Sequence, residues 1–180
     1  MANWNKLNRE FDAVFDSMTN QDWLDWHKKY SKENIEISDN KYNNTHLEVA
    51  KLYATHSSAN KLKVGCVIVS QDDRIVSIGY NGTLKDSDNN CEDSDNKTLP
   101  HVFHAEENAI IYCAKKGISL ENTKLYCTHL PCVNCSKLIV GAGIIEVYYE
   151  NEYKCTRGLE LLKKANISVC KKQDNVWILI

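Results

Sequence analysis

His104-Ala105-Glu106-Glu107-Asn108-Ala109-Ile110, followed downstream by Thr128-His129-Leu130-Pro131-Cys132-Val133-Asn134-Cys135, decides how this chain reads. An imidazole and two thiols are ligands that Zn²⁺ prefers, and three protein ligands leave its fourth tetrahedral position for a water. Cys132 and Cys135 are three apart, so a helix puts them on one face. Pro131 suits the entry to that helix, whose N-terminus favours thiolate. His104 and Glu106 are two apart, which in mid-helix would point them to nearly opposite sides. They converge only in a first turn. Ala105, Ala109, Ile110, Cys113 and Ala114 recur at helical spacing before Gly117, which predicts a helix over 104–116 with the metal over its start.

The carboxylate separates the competing readings. A structural zinc needs a fourth protein ligand, and Cys127 and His129 lie near enough in sequence to supply one; a Cys-x-x-Cys alone also serves as a redox pair. Glu106 instead completes the His-x-Glu and Pro-Cys-x-x-Cys signature of zinc nucleobase deaminases. There the Glu carries a proton from the activated water to the ring nitrogen and the leaving ammonia.

Composition narrows the setting. The chain has 180 residues, 43% of them hydrophobic, which fits one domain of ordinary size plus an extension. A net charge of −2 argues against a nucleic-acid partner. A chain this long does not need disulfides, so Cys66, Cys113, Cys127 and Cys170, all in apolar or strand-like runs, read as buried free thiols of a reducing, cytoplasmic setting. No signal peptide and no membrane-spanning run is legible.

Along the chain, residues 1–45 read as a helical extension and linker. Helices are expected over 7–18 and 22–30, with a polar linker over 31–44. A catalytic domain over 46–180 follows, its first helix opened by the capping box Thr45-His46-Leu47-Glu48 and running to about Thr55. Strands are expected over 63–70, 75–79, 124–128, 144–149 and 167–170, with 176–180 as a further candidate; helices are expected over 132–141 and 157–165. Such alternation implies a mixed or parallel sheet covered on both faces, with its ligand site at strand ends and helix N-termini. The polar stretch from Tyr80 to Phe103 holds Asp-Ser-Asp-Asn twice, at 86–89 and 93–96. Cys91 and Lys97 stand where an EF-hand needs Gly and Glu. It reads as a solvated loop, with a second metal site using Cys91 and His101 as the alternative.

With both motifs and Gly79-Tyr80-Asn81-Gly82 in view, the chain over about 57–170 resembles the deoxycytidylate (dCMP) deaminases of the cytidine deaminase-like superfamily. The resemblance implies an α/β fold, a three-layer α/β/α sandwich around a five-stranded mixed sheet. It implies one catalytic Zn²⁺ on His104, Cys132 and Cys135, with Glu106 as proton shuttle in the hydrolysis of dCMP to dUMP. Ser57 and Lys61 would hold the substrate phosphate, Asn81 the deoxyribose, and Tyr153 would close over the substrate. Lys61 stands where Arg is usual, and Ala59 where Cys is usual. An effector site for dCTP as activator and dTTP as inhibitor, with Mg²⁺ on the triphosphate, would use Gly79, Tyr80, Asn81, Gly82, Asn108, Tyr112 and Lys115. Members are often homo-oligomers, hexamers in particular. Thr83-Leu84 replaces the usual small residue and Pro after Gly82.

By its residues alone, Gly79–Gly82 reads either as a tight loop presenting backbone amides to a nucleotide or as a plain Asn-Gly hairpin turn. Two further functions stay in view: a deaminase of the same chemistry acting on a nucleoside, a free base or a tRNA base, and a non-catalytic nucleotide-sensing zinc protein. An intact Glu106 argues against the last.

Overall fold

Every residue of Gly65–Val69 is buried, as are all but the last of Lys124–His129. Strands of this kind are covered on both faces. The computed structural model describes residues 35–37, 41–174 and 176–180; the helices expected over 7–18 and 22–30 lie outside them. Residues Glu36–Ile180 form one compact unit. The elements in order are β1 (Ile35–Ile37), α1 (Lys41–Ala54), β2 (Gly65–Val69), β3 (Ile75–Tyr80), α2 (Ala105–Lys116), β4 (Lys124–His129), α3 (Val133–Gly141), β5 (Glu146–Asn151), α4 (Arg157–Lys164), β6 (Ser168–Gln173) and β7 (Val176–Leu179).

The sheet runs β7-β6-β5-β4-β2-β3, continued past β7 by the short β1. β4 pairs parallel with β5 and β5 with β6, whereas the β2–β3, β2–β4 and β6–β7 pairs are antiparallel. It is mixed, as expected, but the five-strand expectation falls. β7 returns antiparallel on β6 through a turn in which Asp174 takes a positive φ of 53°, giving six strands before β1 is counted.

Alternation along each strand builds two cores. Cys66, Ile68, Leu125, Cys127, Val147, Tyr149 and Val169 face α2, α3 and α4. Val67, Val69, Tyr126, Tyr148, Cys170 and Trp177 share the other core with Leu47 and Ala50 of α1. The result is helix, sheet and helix in three layers.

Two local expectations are corrected. α1 begins at Lys41, not at the capping box: Thr45 lies inside the helix, its hydroxyl donating to the Lys41 carbonyl (3.4 Å). Residues 41–44, read as linker, form its first turn. Asn43 is buried there and accepts the Tyr126 hydroxyl (2.8 Å), a tertiary contact that overrides the local N-cap signal. The connection from β3 to α2 is not merely a solvated loop. Two isolated bridges, Gly82 with Phe103 and Glu92 with Thr98, shape it, and Cys91, Val102 and Ala59 form a small core of their own. Asp86, Asn89 and Asn96 adopt positive φ at its turns, which Asn and Asp tolerate best among residues other than Gly. The second-metal alternative falls here, because Cys91 is buried in that apolar cluster while His101 is exposed.

Gly79 sets α2 on the sheet. A Cβ there would collide with the Ala105 carbonyl oxygen and sit 2.8 Å from the Ala109 nitrogen. Gly79→Ala is therefore expected to cost about 1–3 kcal/mol as an overpacking change, read as a lower midpoint in urea unfolding.

Candidate active site

Both chemistry-bearing helices start at one point. His104 is the N-cap of α2 (φ −75°, ψ 160°) and Cys132 the N-cap of α3 (φ −69°, ψ 169°), each extended so that its side chain leaves the helix end. The His104 N–H donates to Glu107 Oε2 (3.3 Å), fastening the first turn. Gly117 in a left-handed conformation (φ 67°) stops α2 where expected. Gly158 of α4 packs so closely on the Pro131 carbonyl and the Ser136 hydroxyl that a side chain there would displace the cysteine loop.

His104 Nδ1 lies 3.5 Å from Cys132 Sγ and 3.3 Å from Cys135 Sγ. A tetrahedral Zn²⁺ with Zn–N about 2.0 Å and Zn–S about 2.3 Å would separate N from S by about 3.5 Å. The trio therefore fits zinc in donor type and in edge length. It is also the one group of three His, Cys, Asp or Glu side chains among the described residues whose ligand atoms come this close.

Cys127 is buried in the core between sheet and helices, and His129 turns Nδ1 to the Thr128 hydroxyl (3.0 Å), so neither joins the trio as a fourth ligand. The eight cysteines are all free. The Cys135 hydrogen bond, helped by His104, holds the Cys132 thiol below its usual pKa, while Cys135 is pushed up. Glu106 is buried beside them, and desolvation raises its carboxyl above the ordinary value.

Over these groups opens a pocket whose walls include Lys61, Asn81, Glu92, His129, Leu130 and Tyr153. Of the substrate residues expected, Lys61, Asn81 and Tyr153 line it. Asn81 has its amide committed, Oδ1 accepting the Val64 N–H (2.8 Å) and Nδ2 donating to the Leu62 carbonyl (2.8 Å). Ser57 is buried, its hydroxyl accepts the Ala59 N–H (3.2 Å), and it is not among the residues lining the pocket.

The segment expected to hold an effector continues out of β3. Gly79 lies in β3 under α2, the Asn81 N–H donates to the Val64 carbonyl (3.1 Å), and the Gly82 N–H donates to the Phe103 carbonyl (3.1 Å). Neither glycine has a positive φ, so the segment is neither a loop of free amides nor an Asn-Gly turn. The Tyr80 carbonyl accepts Asn108 Nδ2 (2.7 Å). Tyr112 and Lys115 are exposed on α2.

Sequence reasoning missed Glu92 and did not anticipate His129 as wall rather than ligand. The only signal for Glu92 was its place between the two Asp-Ser-Asp-Asn turns.

A family model described as the cytidine and deoxycytidylate deaminase zinc-binding region matches residues 40–151. The chain belongs to this deaminase family. It is 35% identical over 133 residues to ComE operon protein 2 of Bacillus subtilis, covering 71% of this chain and 69% of that one. It is 37% identical over 133 residues to deoxycytidylate deaminase of Saccharomyces cerevisiae, covering 68% of this chain but only 42% of the yeast protein. Among solved structures, the dCMP deaminase of cyanophage S-TIM5 in complex with dCMP and dUMP superimposes with a TM-score of 0.72 at 36% identity, covering 76% of this chain and 100% of that one. The deaminase-family match spans α1 to β5 and so includes His104, Glu106 and both cysteines.

Proposed function

We propose that this chain is a zinc-dependent deaminase that hydrolyses dCMP to dUMP and ammonia. The observation that carries this reading is a buried Glu106 beside the His104–Cys132–Cys135 trio, facing one pocket. The substrate follows from similarity to the cyanophage enzyme, whose structure holds dCMP and dUMP. Bound at His104 Nδ1 and the two thiolates, one Zn²⁺ per chain would supply the Lewis acidity that brings a water near neutral pKa.

The chain's own groups supply the remainder. Glu106 takes the water's first proton and delivers it to the ring nitrogen, then takes the second from the hydroxyl left on the ring carbon and delivers it to the departing amine as the carbonyl forms. Leu130 and Val102 offer the base an apolar wall that excludes bulk water, and Tyr153 stands at the same pocket to cover it. Lys61 supplies the positive charge for the phosphate.

The unit Glu36–Ile180, which holds α1 and every residue of the site, is assigned to catalysis, and the residues before it to an extension. Exposed Ile111 and Tyr112 on α2 and Leu138 and Val140 on α3 suit a homo-oligomer, for which the family resemblance suggests a hexamer. The free cysteines suit a cytoplasmic setting, and among the described residues no helix is long and apolar enough to cross a membrane. Any dCTP or dTTP, with Mg²⁺, would have to be held by the side chains of Tyr80, Tyr112 and Lys115, since the amides of Asn81 and Gly82 are engaged.

Metal analysis of the Cys132→Ala/Cys135→Ala double variant is expected to find zinc largely lost; full stoichiometric zinc would overturn the ligand set. Glu106→Gln keeps the ligands but cannot take the proton, so turnover should fall by ~10²–10⁴-fold or more with zinc retained. A variant within tenfold of wild type would exclude Glu106 as the shuttle. In a steady-state assay, dCMP should be far preferred to deoxycytidine, and Lys61→Ala should lower kcat/KM for dCMP roughly 10- to 100-fold. The same saturation curves with dCTP or dTTP added should shift to lower and higher dCMP concentration respectively.

A further inference from the structure

The connection between β3 and α2 grips one short segment of the pocket rim. Glu92 is buried and on the pocket wall; its Oε2 accepts the Asn60 N–H (3.3 Å) and its Oε1 the Lys61 N–H (3.2 Å). Four residues on, the Asn96 carbonyl accepts Lys61 Nζ (3.1 Å). Ser58 Oγ and Cys91 Sγ are 3.3 Å apart, and Ala59 packs with Cys91 and Val102. Lys61 is thus held at both ends, backbone and ammonium, by one distant stretch of chain.

Two consecutive N–H groups aimed at one carboxylate fix the orientation of their peptide planes, and with it the direction in which the Lys61 side chain leaves the backbone. They also compensate a buried charge that would otherwise be costly. Electrostatically, a carboxylate beside a phosphate-binding lysine opposes phosphate. A favourable contribution from Glu92 must therefore come through geometry and not through its charge.

We propose that Glu92 is a positioning residue that sets Lys61 toward the substrate phosphate by holding the 60–61 peptides. This rests on the dCMP reading above. The 83–103 connection is then the frame of the phosphate end of the pocket.

The test is steady-state kinetics on the zinc-loaded full chain with dCMP and with deoxycytidine, for wild type, Glu92→Gln, Glu92→Asp, Lys61→Ala and the Lys61→Ala/Glu92→Gln double variant. Glu92→Gln keeps the size but turns an NH₂ against a peptide N–H; Glu92→Asp keeps the charge but shortens the reach. Both are expected to raise KM for dCMP roughly tenfold, with kcat changed less, and to lower selectivity for dCMP over deoxycytidine by a similar factor. Because Glu92 acts through Lys61, the double variant should be no worse on dCMP than Lys61→Ala alone. Equal losses on both substrates, an unchanged or lowered KM for dCMP, or additive losses in the double variant would each overturn the inference. Thermal unfolding checks each variant, and Glu92→Asp carries the comparison if Glu92→Gln does not fold. A wild type indifferent to the phosphate overturns the dCMP reading together with this one. A wild type that prefers dCMP, with both Glu92 variants equally selective, overturns this one alone.

Discussion

The missing Cβ of Gly79 is the constraint from which the site follows. Bare backbone at that position lets α2 lie directly on β3, and the Ser77 hydroxyl donating to the Ala109 carbonyl (2.9 Å) ties the same pair a turn further along. Gly158 does the corresponding thing for α4 against the Pro131 carbonyl. Two close backbone approaches thereby place the starts of α2 and α3. The starts place His104 and Cys132, because each is an N-cap residue and not a mid-helix side chain choosing among rotamers. The partial positive charge at the helix end also favours the anionic form of the N-cap thiol of Cys132.

The two faces of the sheet divide the work. The face under α2, α3 and α4 carries the metal-type trio, Glu106 and the pocket. The face under α1 carries packing: Tyr126 and Tyr148 stack with ring centroids 4.5 Å apart, and Trp177 meets both edge-on at 6.5 and 5.3 Å. Such pairs contribute about 0.5–1.5 kcal/mol each beyond their burial. A largely buried ion pair, Lys124 Nζ to Asp73 Oδ1 at 2.9 Å, pins the β2–β3 turn to the start of β4. Period-two alternation assigns each strand residue to one face or the other, so Cys127 and Tyr126, neighbours in sequence, serve different layers.

That division explains what was legible beforehand. His104, Glu106, Cys132 and Cys135 could be picked out because metal and proton chemistry restrict residue type, and helical periodicity located α2 to within a residue. The layering was legible because β2 is apolar throughout and strands alternate with helices along the chain. The start of α1 was not, since Thr45-x-x-Glu48 is a genuine local cap signal and the contact that overrides it joins residues 83 apart in sequence. The 81–103 segment misled by composition: its few apolar residues, Cys91, Leu99 and Val102, follow no period, so nothing announced that they would cluster. Gly79 was legible as glycine but not for the right reason, because space and not positive φ requires it. The extra strand was legible as a candidate over 176–180, and it was the five-strand count implied by the resemblance that left it out.

Asn81-Gly82 carries one more consequence, for how the molecule ages. In a flexible chain an Asn-Gly pair is the sequence most prone to spontaneous deamidation, in which the glycine nitrogen attacks the asparagine side-chain carbonyl carbon and closes a succinimide ring. Here both partners of that reaction are tied. The Asn81 amide is held at Oδ1 by the Val64 N–H and at Nδ2 by the Leu62 carbonyl, and the Gly82 N–H points to the Phe103 carbonyl. Ring closure would require breaking these hydrogen bonds together and opening the bridge to Phe103. The fold that shapes the pocket rim also shields its most labile peptide from chemical decay.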